Sequence, residues 1–241
     1  MAVTDPFAHH PELRDKIVDA SEAAFYRTFS VETVFGDRPD LKWVADQMFS
    51  DDVREAKRAE ALAEHEGDLW VFAYGSLMWN PALYFAEVRR AHVPGYARQF
   101  TLKDIYGGRG TREVPGLQAA LDAGGGCDGL AFRIEAARVE EETEVLFRRE
   151  MIGPGYLAVF VGAEIGGETV PALTFVADHA TDIIEAGLGF DDQVRMIATG
   201  EGFLGTSYEY LANVVRNLRV LGIRDPACEA LLSAVEAARA G

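Results

Sequence analysis

The chain has 241 residues, 49% hydrophobic and 26% charged, a globular balance with enough length to bury a sizeable core without covalent staples. Its formal net charge of −16 argues against nucleic acid and anionic membrane surfaces as main partners; an anionic ligand would need local arginines or backbone dipoles.

No run of about 18 apolar residues offers a bilayer span. The N-terminal stretch MAVTDPFAHHPELRDK lacks the basic and apolar regions of a secretory signal. Cys127 and Cys228 stand far apart in unlike settings, which fits a reducing cytoplasm rather than a disulfide framework. The five histidines show no metal-ligand spacing with cysteines or carboxylates, so no metal site is expected.

Residues 1–66 read as a helical N-terminal extension, followed from residue 67 by one larger domain to residue 241. Pro6, Pro11 and Pro39 punctuate the extension, and Ile17, Ala20, Ala24 and Phe25 suggest a helical stripe between Pro11 and Thr28. Asp51 to Glu66 is rich in helix formers, with mixed charges at helical spacing that suggest a solvated face. Nothing here carries an evident chemistry.

Next comes WVFAYGSLMWNP, Trp70 to Pro81. Leu69 to Ala73 form an apolar run too short for a helix, hence a buried strand. It enters Tyr74-Gly75-Ser76, where glycine permits unusual backbone geometry, and Asn80-Pro81 closes the segment. A buried strand entering such a turn leaves backbone N–H groups without ladder partners, and these can hold a carboxylate or an oxyanion.

From there to about Val176 the chain reads as strand-rich. Arg89 to Leu102 alternates in places, with an interruption at Pro94-Gly95. Leu117 to Leu121 and Gly129 to Ile134 read as two strands around a turn at Gly124-Gly125-Gly126. Between them, Arg109 and Arg112 sit in a polar loop rich in Gly and Pro, where they could clamp a carboxylate or merely be solvated. The clearest hairpin is YLAVFVGAEI and ETVPALTFVAD around Gly166-Gly167, with Pro171 suggesting an edge or a bulge. The pattern predicts an α+β domain with a largely antiparallel, closed sheet, not a βαβ alternation. The glycine clusters fit neither a phosphate loop nor a dinucleotide fingerprint.

Arg138 to Met151 predicts a helix. At 100° per residue, Val139, Thr143, Leu146, Phe147 and Glu150 share one side, while Glu141, Glu144 and Arg148 lie opposite. Glu140 to Glu142 read as a solvated, dipole-compatible helix start. A carboxylate on the apolar face is costly unless paired or protonated, and burial should raise its pKa into the range of a general base. Alternatively Glu150, next to Gly153-Pro154-Gly155, turns outward or pairs with Arg149 or another arginine. Further on, Leu211, Val214, Val215, Leu218 and Leu221 form a core-facing helical stripe.

YGSLMWNP after an apolar strand, RGTxExPG some thirty residues on, RREM closing an acidic helix, and a C-terminal GTSYEYL together resemble the ChaC-type γ-glutamylcyclotransferases. The resemblance covers roughly Trp70 to Leu232. It implies a γ-glutamylcyclotransferase-like fold, a small mixed β-barrel surrounded by helices. It also implies cleavage of glutathione into 5-oxoproline and cysteinylglycine without metal or cofactor, with only a small molecule as partner. By the same resemblance Glu150 is the proton acceptor. Ala73, Tyr74, Gly75, Ser76, Leu77 and Met78 line the γ-glutamyl pocket, Arg109 clamps a carboxylate, and Tyr156 walls the pocket. Relatives carry Asn where this chain has Ser207; both can bond the backbone, so local repacking is expected. The alternatives are a cyclotransferase for another γ-glutamyl compound, an amine or peptide, and a non-catalytic sensor of such ligands.

Overall fold

A computed structural model describes residues 5–36, 42–185 and 187–241. The chain divides into two compact units: residues 1–97 with 123–176, and residues 98–122 with 177–241.

The first unit holds the N-terminal helices, most of the barrel and one long helix. β1 (Leu69–Ala73) is the apolar run before the Gly-Ser turn. It is flanked on both sides. It pairs antiparallel with β3 (Gly116–Ile134), Leu69 opposite Ile134 and Ala73 opposite Leu130. It pairs in parallel with β5 (Glu168–Ala177), Trp70 opposite Ala172. With β2 (Glu87–Asp104) and β4 (Tyr156–Ile165) the order β1-β3-β2-β4-β5 closes into a barrel, so the sheet leaves no open edge. Both faces of β1 are covered, with Leu69, Val71, Phe72 and Ala73 buried, which is why it reads as continuous apolar sequence. Phe72, Phe132 and Phe175 are almost wholly buried, and Phe175 meets Phe147 edge to face, 5.5 Å between centroids.

Two expectations for the strands need correction. Pro94-Gly95 does not interrupt β2, which runs unbroken over 18 residues. The glycines 124–126 are not a turn but lie within the 19-residue β3. A Cβ on Gly124 would stand 2.3 Å from the Ala97 Cβ, and one on Gly126 would stand 2.5 Å from the His92 ring. These glycines allow neighbouring chain to approach closely. The Gly166-Gly167 hairpin forms as expected, with φ of +60° and +92° as a primed two-residue turn requires.

The N-terminal extension is less regular than its stripe suggests. A 3₁₀ segment at Pro11–Lys16 is followed by short helices α1 (Ala24–Arg27), α2 (Val31–Phe35) and α3 (Lys42–Ala45). Ile17 and Ala20 are buried, but Phe25 is exposed. Pro39 lies outside the described residues. α4 (Asp51–Leu62) ends sooner than expected, and its charged face is only partly solvated. Arg54 and Arg58 are buried, and Arg58 reaches across to Glu140 and to the Thr143 hydroxyl of α5 (Val139–Glu150).

The second unit packs α6 (Phe190–Thr199), α7 (Ser207–Val220) and α8 (Pro226–Ala240) on one another. The predicted stripe from Leu211 to Leu221 is buried throughout. A two-residue ribbon, β6 (Glu201–Gly202) with β7 (Gly205–Thr206), leads into α7. Thr206 caps α7: its hydroxyl accepts from the Glu209 N–H at 3.0 Å, and the Glu209 carboxylate accepts from the Thr206 N–H at 2.8 Å.

Candidate active site

Four elements of the first unit converge around the end of β1. The chain leaves the barrel at Ala73 and turns through Tyr74 and Gly75 into a single 3₁₀ turn, Ser76–Met78. Ala73, Tyr74, Leu77 and Met78 are buried. The turn's internal bonds are donated by Met78 to the Gly75 carbonyl and by Trp79 and Asn80 to the Ser76 carbonyl. The amides of Gly75, Ser76 and Leu77 precede them, at the end where a tight helix lacks internal acceptors. The Trp79 carbonyl accepts from the Val18 N–H, so the extension is bonded to the far end of the turn.

Glu150 is the last residue of α5. Its side chain keeps 17% of its exposure, and its carboxylate stands 3.0 Å from the Arg149 Nε. Burial pushes its carboxyl above the usual range, and the Arg149 charge and hydrogen bond oppose that rise. The sequence left two options, an inward carboxylate or one paired with Arg149. Both hold, because Arg149 is itself only 6% exposed.

Arg149 joins the parts. Its Nη2 donates to the Ser76 hydroxyl at 2.8 Å and its Nη1 to the Asn80 carbonyl. Nitrogens of one planar guanidinium lie roughly 2.3 Å apart, so the Ser76 Oγ and the Glu150 Oε1 are no more than about 8 Å apart. The ring of Tyr26, from α1, covers the guanidinium with its centroid 4.1 Å from Cζ. Neither Arg149 nor Tyr26 was singled out as a site residue from the sequence. The Arg-Arg doublet before Glu150 is a partial signal: the 100° spacing sets Arg148 on the outer side of α5, but it does not show that Arg149 meets the turn.

The same helix holds a second internal charge. Glu142, expected on a solvated helix start, is fully buried. It accepts from both terminal nitrogens of Arg27, at 2.7 and 3.2 Å, and from the Tyr84 N–H at 3.0 Å. Arg27 also donates to the Ala82 carbonyl at 2.9 Å, and Ala82 takes the left-handed conformation with φ 56°. The expectation failed because the partner comes from another element: the arginine enters from α1.

Tyr156 is the first residue of β4, beyond Gly155 at φ 121°, and is half-buried. Arg109 belongs to the second unit. Its backbone N–H donates to the Asp104 carboxylate at 2.7 Å, and its Nη1 donates to the Thr206 carbonyl at 3.0 Å. Its guanidinium also stands 5.3 Å from the Tyr210 ring centroid. Asp104, not noticed in the sequence, anchors this loop. It also accepts from the Tyr106 N–H and the Gln118 side-chain amide, and burial raises its carboxyl above the usual range. Ser207 is buried; its hydroxyl donates to the Leu117 carbonyl at 2.6 Å and accepts from the Leu117 N–H at 2.9 Å. Among the described residues no three His, Cys, Asp or Glu side chains group as metal ligands, and no helix is long and apolar enough to cross a membrane.

The arrangement can deprotonate a group beside the turn and offer amide donors to an adjacent oxyanion. Residues 69–238 match the family model described as "ChaC-like protein". The glutathione-specific γ-glutamylcyclotransferase of Escherichia coli (strain K12) is 36% identical over 216 residues, covering 88% of this chain and 90% of that protein. The Schizosaccharomyces pombe protein of the same description is 30% identical, covering 65% of this chain and 85% of that protein. Among solved structures, a yeast γ-glutamyl cyclotransferase specific to glutathione superposes with a TM-score of 0.64 at 21% identity, over 72% of this chain and 98% of that one. That last likeness concerns the fold, and it agrees with the mixed barrel with flanking helices.

Proposed function

The chain belongs to the ChaC-like family, and from that premise we propose that it cleaves glutathione to 5-oxoproline and cysteinylglycine. The observation that carries the reading is the Glu150 carboxylate, largely enclosed yet tied through Arg149 to the turn that follows β1.

The chemistry needs no external nucleophile. The α-amine of the γ-glutamyl unit attacks its own γ-carbonyl carbon and closes a five-membered ring. Well-oriented intramolecular attack reaches effective molarities on the order of 10⁵ M or more. The amine is protonated at neutral pH, so it must give up one proton before it attacks and a second as the ring nitrogen becomes a lactam N–H. Glu150 takes these protons in turn and passes them to the cysteinyl nitrogen, which leaves as an ammonium as the amide C–N bond breaks. The tetrahedral oxyanion is taken up by backbone N–H groups among Gly75, Ser76 and Leu77, preorganised donors that cost no reorganisation at the moment of reaction. Ala73, Tyr74 and Met78 shape the γ-glutamyl pocket with them. Tyr156 is a wall. The cyclotransferase domain runs from residue 67 to 241, with residues 1–66 as an extension that braces it.

Cys127 and Cys228 are buried and form no disulfide, which supports a reducing cytoplasm as the location. The test follows 5-oxoproline and cysteinylglycine release from glutathione, with γ-glutamylalanine and a γ-glutamyl amine in parallel. Glu150→Gln, folded by circular dichroism, should lose roughly 10²-fold or more in kcat. A folded Glu150→Gln variant with near-wild-type turnover would refute the base assignment. Turnover of γ-glutamylalanine without turnover of glutathione would refute the substrate.

A further inference from the structure

Arg149 spends each arm of its fork differently. Nη1 holds the Asn80 carbonyl, Nη2 the Ser76 hydroxyl and Nε the Glu150 carboxylate. Ser76 and Asn80 are the two ends of the turn that follows β1, so one rigid plane sets the turn's span and the carboxylate's place beside it. Lysine cannot do this, since an ammonium is a point charge on a flexible stem. The guanidinium is also enclosed, with Tyr26 of the N-terminal extension on one face. A charge kept from water acts more strongly on its neighbours.

We propose that Arg149 is a positioning residue for the cyclisation: it locks the 76–80 turn and the Glu150 carboxylate into one frame and keeps that carboxylate ionised. The inference rests on Glu150 being the base.

Several arginines on α5 and on the helices packed against it have partners of their own. On α5, Arg148 bonds Glu144 and the Arg27 carbonyl. From α4, Arg58 is taken up by Glu55 and Glu140, and Arg54 by Asp51. From α1, Arg27 is held by Glu142 and Glu141. From the turn itself the neutral Ser76 hydroxyl and the Asn80 carbonyl meet the guanidinium. Burial favours the protonated form of Glu150, and Arg149 is the cation that opposes it.

The experiment is the pH profile of kcat/KM for glutathione in the full chain, comparing wild type, Arg149→Met and Arg149→Lys, with Glu150→Gln as reference. Arg149→Met removes fork and charge. Its acid limb should move up by about one pH unit or more, the scale of an adjacent opposite charge, with kcat at pH 7 reduced at least tenfold. Arg149→Lys keeps a cation without the fork. Its acid limb should stay near the wild-type position while kcat falls, which separates the charge from the geometry. A merely structural arginine would lower active protein without moving the limb. If Arg149→Met does not fold, the lysine variant decides: wild-type kcat there overturns the proposal. So does an unmoved acid limb in folded Arg149→Met. A Glu150→Gln variant with wild-type turnover removes the base and this inference together. An inactive Glu150→Gln beside an unshifted Arg149→Met removes this inference alone.

Discussion

Arg27 and Glu142 make the sharpest stability test in the first unit. Glu142 is fully enclosed and Arg27 keeps 15% of its side-chain exposure. Breaking a buried pair by removing one partner costs about 3–5 kcal/mol, because the other charge stays behind without compensation. The two halves are not equivalent. Arg27→Met leaves a buried carboxylate with the Tyr84 N–H and an Arg138 nitrogen 3.8 Å away, and it also frees the Ala82 carbonyl. That places it near the upper end, about 4–5 kcal/mol. Glu142→Leu strands a guanidinium that keeps Glu141, the Ala82 carbonyl and a face on the Tyr84 ring, so about 3 kcal/mol is expected. Replacing both restores neutrality inside, and the double variant should lose about 2–3 kcal/mol less than the two singles added. Urea unfolding at neutral pH followed by tryptophan fluorescence reads all three. Additivity within about 0.5 kcal/mol, or a loss below about 1 kcal/mol for Arg27→Met, would show the pair is not the clamp its geometry indicates.

Glu150 should carry a stability cost as well as a function. Its folded pKa lies above the unfolded value of about 4.3. Between those values the native state holds the proton more than the unfolded chain does, so stability falls as pH rises through that window, and the deficit persists above it. Wild-type stability should therefore fall more steeply than that of Glu150→Gln as pH rises through that window; equal slopes in the two proteins contradict this. Gly124→Ala would bring a Cβ to 2.3 Å from that of Ala97, and overpacking of this kind costs about 1–3 kcal/mol. Ala97→Gly in the same chain should recover part of the lost melting temperature, and no recovery would mean that the neighbouring backbone sets the clash.

Sequence by itself determined the local elements whose cause is local. The apolar run of Leu69 to Ala73 could only be a buried strand, and it ends where Gly75 lets the backbone turn. Gly166-Gly167 set its hairpin through the φ values other residues resist. The α5 periodicity placed Leu146, Phe147 and Glu150 on the inner side of one helix, and the stripe from Leu211 did the same for α7. Periodicity, propensity and turn chemistry are properties of neighbours in the chain. Tertiary structure decided the rest, where the cause lies far along the sequence. Gly124 to Gly126 resemble a turn, yet they lie within β3, where Ala97 and His92 leave no room for a Cβ on Gly124 or Gly126. Glu142 looks like a solvated helix start until Arg27, 115 residues away, arrives to hold it. Periodicity sets Arg148 on the outer side of α5 but does not say that Arg149 is enclosed. The packing of the 76–80 turn and of Tyr26 against α5 decides that, because a buried charge is stable only where partners assembled from several elements surround it.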